Sequence, residues 1–150
     1  MHILMACDHG AVPLKNTLRD WLRAEHHLEV SDFGVDGPDS VDYPDQAGRL
    51  CRALLAGEGE RGILLCGTGL GMSMAANRFA GVRAALCHDE HGARMSRRHN
   101  DANVLVLGGR TTGEAVARGI VEVWLNEGFE GDRHRRRLEK MDQLMKESES

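Results

Sequence analysis

One stretch narrows what this chain can fold into more than any other: Gly62-Ile63-Leu64-Leu65-Cys66-Gly67-Thr68-Gly69-Leu70-Gly71-Met72-Ser73. An apolar run without polar alternation reads as a strand buried on both faces, the habit of parallel sheets. Alternating glycines follow, and Met72-Ser73-Met74-Ala75-Ala76-Asn77-Arg78 carries good helix formers. Strand, glycine-rich turn and helix in that order build an anion site, because glycines let backbone N–H groups approach a ligand at a helix N-terminus. Cys66 stands directly after the apolar run, where the positive end of a helix dipole favours a negative sulfur. It is the candidate to act chemically on a small molecule held over the loop. The bland alternative is a buried structural thiol, and Cys7, Cys51 and Cys87 are assigned to it. A dinucleotide fingerprint needs Gly-x-Gly-x-x-Gly. Here the third glycine falls one place early, at Gly71, and the motif opens on the third strand. No Gly-Lys-Ser or Gly-Lys-Thr follows, which removes a Walker loop.

The rest of the chain repeats the strand–helix alternation. Ile3 to Cys7 reads as a buried strand, and Pro13 fits the first turn of a helix whose Leu14, Leu18, Trp21 and Leu22 share a face. Leu28 to Phe33 alternates as a half-exposed strand. After a polar loop, a helix opens at Tyr43-Pro44 with Ala47, Leu50, Cys51, Leu54 and Leu55 on one side. Val82 to Cys87 and Asn103 to Leu107 read as the fourth and fifth strands, with a helix over Asp89 to Arg98 between them. Thr111 or Thr112 is expected to cap a helix that turns Ala115, Val116, Ile120, Val123 and Trp124 inward. The fold class is therefore α/β: a three-layer α/β/α Rossmann-like sandwich around a five-stranded, mainly parallel sheet. A charged helical tail, about residues 131–150, carries the narrow apolar stripe Leu138, Met141, Leu144 and Met145 and is expected to serve in dimerisation. One domain spans 1–150. A net charge of −4 argues against general nucleic-acid affinity. No apolar run nears a bilayer's width and no signal peptide opens the chain, so a cytoplasmic protein off the membrane is expected. Cysteines far apart in sequence fit a reducing compartment.

Ligands of an open parallel sheet sit beyond the carboxyl ends of the strands. That places Asp8 and His9, Cys66 to Gly71, Cys87 to Asp89, and Gly108 to Arg110 as candidates. His99-Asn100-Asp101 lies in a loop, where function and simple solvation weigh equally. His88 and His91 share a helical spacing suited to a metal, but with no third ligand nearby they read as surface residues. Arg133 and Arg137, at i and i+4, can fork onto a phosphate or form a solvated basic face balanced by Glu139.

Taken together, these stretches resemble the ribose-5-phosphate isomerase B group of the ribose/galactose isomerase family. The resemblance rests on Cys7-Asp8-His9-Gly10, Val41-Asp42-Tyr43-Pro44-Asp45, Cys66 to Ser73, Arg98-His99-Asn100-Asp101-Ala102-Asn103 and Phe129-Glu130-Gly131-Asp132-Arg133-His134. It implies a cofactor-free, metal-free aldose–ketose isomerase acting on a phosphorylated sugar through a cis-enediolate. Cys66 would be the proton-transfer base, with Thr68 on the reacting oxygens and the N–H groups of Gly67, Gly69 and Gly71 around them. His99, with Asp8, would open the sugar ring. His9, Arg133 and Arg137, with Arg110 a weaker candidate, would hold the phosphate, and Asn100 would contact hydroxyls. The family's site resembles a cleft between two subunits, so a homodimer or a dimer of dimers is implied. Asp132 stands where a glycine is frequent in the family. Ribose 5-phosphate is the expected substrate. Allose or galactose 6-phosphate, erythrulose 4-phosphate, and a non-catalytic sugar-phosphate sensor are the rivals, followed by a nicotinamide-binding redox domain.

Overall fold

The computed structural model describes residues 1–148. Its elements alternate along the chain: β1 His2–Cys7, α1 Val12–Glu25, β2 Glu29–Asp32, α2 Tyr43–Leu55, β3 Arg61–Cys66, α3 Leu70–Ala76, β4 Ala84–Leu86, α4 Glu90–Arg98, β5 Val104–Gly108, α5 Glu114–Asn126 and α6 Asp132–Ser148. The five strands form one sheet in the order β2-β1-β3-β5-β4, and every neighbouring pair is parallel. From β1 the chain adds β2 on one side and then β3 on the other, so the winding reverses between β1 and β3. A crevice opens at such a reversal, beyond the carboxyl ends of the two strands.

Period-two alternation divides the buried strand residues between two cores. Ile3, Met5, Cys7, Ile63, Leu65, Leu105 and Leu107 face a layer that includes α1 and α5, whose Trp124 is fully buried. Leu4, Ala6, Leu64, Cys66, Val104 and Val106 face α2 and α3. Cys66 thus belongs to the α3 side of the sheet, beside Met72 and Ala76. The edge strand β4 is protected by a side chain: Asn77 donates through Nδ2 to the Ala84 carbonyl at 2.9 Å and accepts the Ala84 N–H at the same distance.

Two helices depart from the sequence expectation. The residue before α5 is Gly113, which gives no side-chain cap, while the Thr111 hydroxyl turns back to the Gly108 carbonyl at 3.4 Å. With the helix starting there, the buried face carries Ala117, Ile120, Val121, Trp124 and Leu125, and Ala115 and Val116 lie in solvent. Leu55, at the end of α2, is also exposed. In the tail helix Leu138 is buried, whereas Met141 and Leu144 are exposed on the surface of this chain.

Loop 33–42 is anchored by a buried cation. Lys15 has no exposed surface, and its ammonium donates to Asp32 Oδ2 at 2.6 Å and Asp36 Oδ1 at 3.0 Å. Asp32 also receives Arg19 at 2.9 Å and the Gly34 N–H at 2.9 Å. Burial alone would raise the Asp32 carboxyl, but these donors outweigh it and hold it below its ordinary range. A depressed carboxyl adds stability that is present above its unfolded pKa and lost as pH falls through the folded one. Replacing Lys15 with Met should therefore cost about 3 kcal/mol in urea unfolding at pH 7, because the half-buried Asp32 keeps only Arg19 and the Gly34 N–H to offset its charge. That deficit should shrink below about pH 4, where the unfolded carboxyl is protonated. Equal stability of the two proteins at pH 7 would refute the anchor.

Candidate active site

The loop after β3 is built by backbone conformation and close approach. Gly69 has φ of +81°, a left-handed geometry that costs a side chain roughly 1–2 kcal/mol. That turn aims the Gly69 N–H at Cys66 Sγ, 3.1 Å away. The Leu70 N–H reaches Thr68 Oγ1 at 3.3 Å, and the Thr68 side chain faces solvent. β3 and β5 stay tied beyond their ends, since Gly109 N–H donates to the Cys66 carbonyl at 2.8 Å and Arg110 N–H to the Gly67 carbonyl at 2.9 Å. The Arg110 guanidinium consequently lies over Gly67, where a built Cβ would stand 3.3 Å from Nη1.

The β1 loop meets this loop from the other side of the crevice. A Cβ on Gly10 would come within 3.1 Å of the Gly67 nitrogen, so the two loops touch backbone to backbone. Asp8 accepts the Gly10 N–H at 2.8 Å and is buried, which makes its carboxylate a brace for its own turn. His9 Nδ1 accepts the Val41 N–H at 3.2 Å. A neutral ring held that way carries its proton on Nε2, ready to donate. The structure thus brings together Asp8, His9, Cys66, Gly67, Thr68, Gly69, Gly71 and Arg110. Two contributors were not singled out from sequence. One is the Val41 backbone. The other is the half-exposed Tyr43 ring, which lies over Gly71 where a Cβ would be 2.6 Å from Cζ. The signal for Tyr43 was its place in the Val41 to Asp45 motif, ahead of a proline at a helix start.

His99, Asn100, Arg133 and Arg137 lie elsewhere in the same chain. His99 and Asn100 follow α4 and precede β5, so they sit at the amino edge of the sheet. A six-residue strand such as β3 rises roughly 17 Å, which is the spacing between that edge and the one that carries Cys66. At the amino edge the His99 ring stacks on His134 with centroids 4.1 Å apart and planes 10° from parallel. Glu130 Oε2 lies 3.7 Å from His99 Nε2 and 3.6 Å from His134 Nε2. The Glu130 N–H donates to the Arg98 carbonyl at 3.0 Å, which docks this turn against the end of α4. Loss of hydration, with the charges of His99 and Arg133, pushes the buried His134 below its usual pKa. Asp132 has φ of +44°, a left-handed backbone region that favours glycine. Arg133 and Arg137 extend from exposed positions on the following helix.

The chain matches known proteins over nearly its full length. The family model described as Ribose/Galactose Isomerase matches residues 3–141. The chain belongs to the ribose/galactose isomerase family. It is 44% identical over 137 residues to ribose-5-phosphate isomerase B of Escherichia coli, covering 91% of each chain. It is 41% identical over 143 residues to the D-erythrulose-4-phosphate isomerase of Pectobacterium atrosepticum, covering 94% of this chain and 93% of that one. Its structure superposes on the ribose-5-phosphate isomerase B of Clostridium thermocellum with a TM-score of 0.96, at 47% identity and 99% coverage of both chains. These matches span the crevice loops and the α4–α6 segment alike. Among the described residues, no helix is long and apolar enough to cross a membrane.

The four thiols differ in what their sulfurs do. Burial pushes Cys7, Cys51 and Cys87 up to about 11. Cys7 and Cys87 sulfurs donate to the Val35 and Ala85 carbonyls, whereas the Cys66 sulfur accepts an N–H. Iodoacetamide at pH 8 should therefore modify Cys66 well before the other three, as read by peptide mass spectrometry. Simultaneous labelling of all four, or labelling of Cys51 first, would contradict this reading.

Proposed function

We propose that the chain is an aldose–ketose isomerase interconverting D-ribose 5-phosphate and D-ribulose 5-phosphate. The observation that carries this reading is the Gly69 N–H directed at Cys66 Sγ in a glycine loop at the sheet's switch point. A sulfur steadied in this way can take the proton from C2 of an open-chain aldose and return it at C1. Loop N–H groups and the Thr68 hydroxyl stabilise the enediolate oxygens as charge develops on them. His9 donates from Nε2 to the phosphate, with Arg110 nearby.

Ring opening needs His99, and sugar hydroxyls and phosphate need Asn100, Arg133 and Arg137. Those groups lie toward the opposite edge of the sheet from Cys66, so a second copy supplies them. In a two-fold homodimer, the amino-edge cluster of one subunit faces the crevice of the other. Exposed Leu70, Met74 and Tyr43 beside the crevice, and Met141 and Leu144 on α6, offer apolar surface for that contact. The erythrulose-phosphate relative supports a second reading, a four-carbon ketose phosphate as substrate.

Turnover should be measured on ribose 5-phosphate, allose 6-phosphate, galactose 6-phosphate and erythrulose 4-phosphate. Preference for ribose 5-phosphate is expected, with Cys66→Ala lowering kcat by about 1,000-fold while phosphate-sugar binding persists. Binding without turnover on any sugar would leave a sensor and refute the enzyme.

Mixing inactive Cys66→Ala and His99→Asn proteins tests the shared site. Each heterodimer then holds one intact site, and about a quarter of wild-type activity should return. No recovery, in a mixture shown to exchange subunits, would place the whole site within one chain.

A further inference from the structure

We propose that His99, Glu130 and His134 form a binding site for a transition-metal cation of the zinc class, and that its occupancy silences the enzyme. The silencing half rests on the role of His99 proposed above; the binding half does not. Two imidazoles and a carboxylate are a donor set suited to zinc, and one ligand atom from each lies within 4.8 Å of the other two. Tetrahedral zinc with bonds of about 2.0–2.1 Å sets its ligand atoms roughly 3.3 Å apart. The two His–Glu separations, 3.7 and 3.6 Å, are already near that value.

What must change is the stack. Parallel rings cannot both point a lone pair at one ion, so the more exposed imidazole, His99, turns out of the stack while the buried His134 stays. Glu130 is fixed by its own backbone bond to Arg98 and contributes one oxygen. Glu127 neutralises Arg94 at 2.8 Å and Arg98 at 2.7 Å, so the cations that oppose a metal here are Arg133 and Arg137, which face His134 from its own helix. The depression lined by Glu130, Gly131, Asp132, Arg133 and His134 leaves the outer positions of the ion open to water or an anion. A metal held here occupies the nitrogen lone pair of His99 and removes it from proton transfer.

The test uses full-length, tag-free protein and zinc chloride in a buffer that does not bind metal. Calorimetry on the Cys66→Ala protein excludes the loop thiol as a ligand. One zinc per chain is expected, with affinity reduced at least tenfold when His134→Ala or Glu130→Gln is added. Glu130→Gln keeps the shape of the site, so it decides the matter if His134→Ala fails to fold. Absence of binding at micromolar zinc, or binding unchanged by both substitutions, would overturn the site. In the Cys66-containing protein, zinc should abolish isomerase activity reversibly with EDTA, and Glu130→Gln should raise the inhibitory concentration at least tenfold. If zinc binds as described but no sugar phosphate is turned over, the metal site stands and the isomerase reading falls. If sugar is turned over and occupancy leaves the rate unchanged, silencing falls.

Discussion

The parallel pairing of β1 with β3 is the constraint on which the rest of the molecule depends. Because the two strands run the same way, both of their following loops emerge at one edge, and because the winding reverses between them, no helix fills the gap. Asp8 and His9 then face Cys66 to Gly71 across a distance short enough for glycine backbones to touch. The same directionality excludes His99 from that place. A residue that precedes a strand in an all-parallel sheet lies at the opposite edge from a residue that follows one. The division of the candidate residues between two edges is thus a result of strand direction, before any side chain is considered.

That division shows what the amino acids disclosed and what they did not. The Cys66 to Gly71 loop was legible because its information is local: glycine spacing, an apolar run before it, helix formers after it. Asp8 and His9 were legible by their position after β1. The Val41 contribution was not, since a backbone N–H carries no signature of its partner, and the His9–Val41 contact spans a loop. Tyr43 over Gly71 is likewise a meeting of two segments that only the packing of α2 on α3 brings about. The α5 cap falls past both threonines, at Gly113, because Thr111 belongs to the turn that closes β5, where its hydroxyl donates to the Gly108 carbonyl. Once α5 begins at Glu114, its helical phase follows, and Val116 turns outward despite its apolar side chain.

Lys15 illustrates how support for a site extends beyond its neighbours. Its buried ammonium joins α1 to the end of β2 and to the loop that follows, and Val41 near the end of that loop fixes the His9 ring. The cost of burying the cation is offset by two carboxylates, which leaves the loop little freedom where it enters the crevice. The loop beside His9 is in this way held by an ion pair on the α1 side of the sheet.

Asn77 has a consequence for how copies of this chain can meet. By offering both an amide donor and an amide acceptor to Ala84, it imitates the backbone of an absent sixth strand. An exposed parallel edge is otherwise a template on which a foreign strand can continue the ladder. With Ala84 satisfied in this manner, β-augmentation along β4 is blocked, and growth of the sheet into open-ended polymers is discouraged. The surface left for contact with another copy is that of helices and loops.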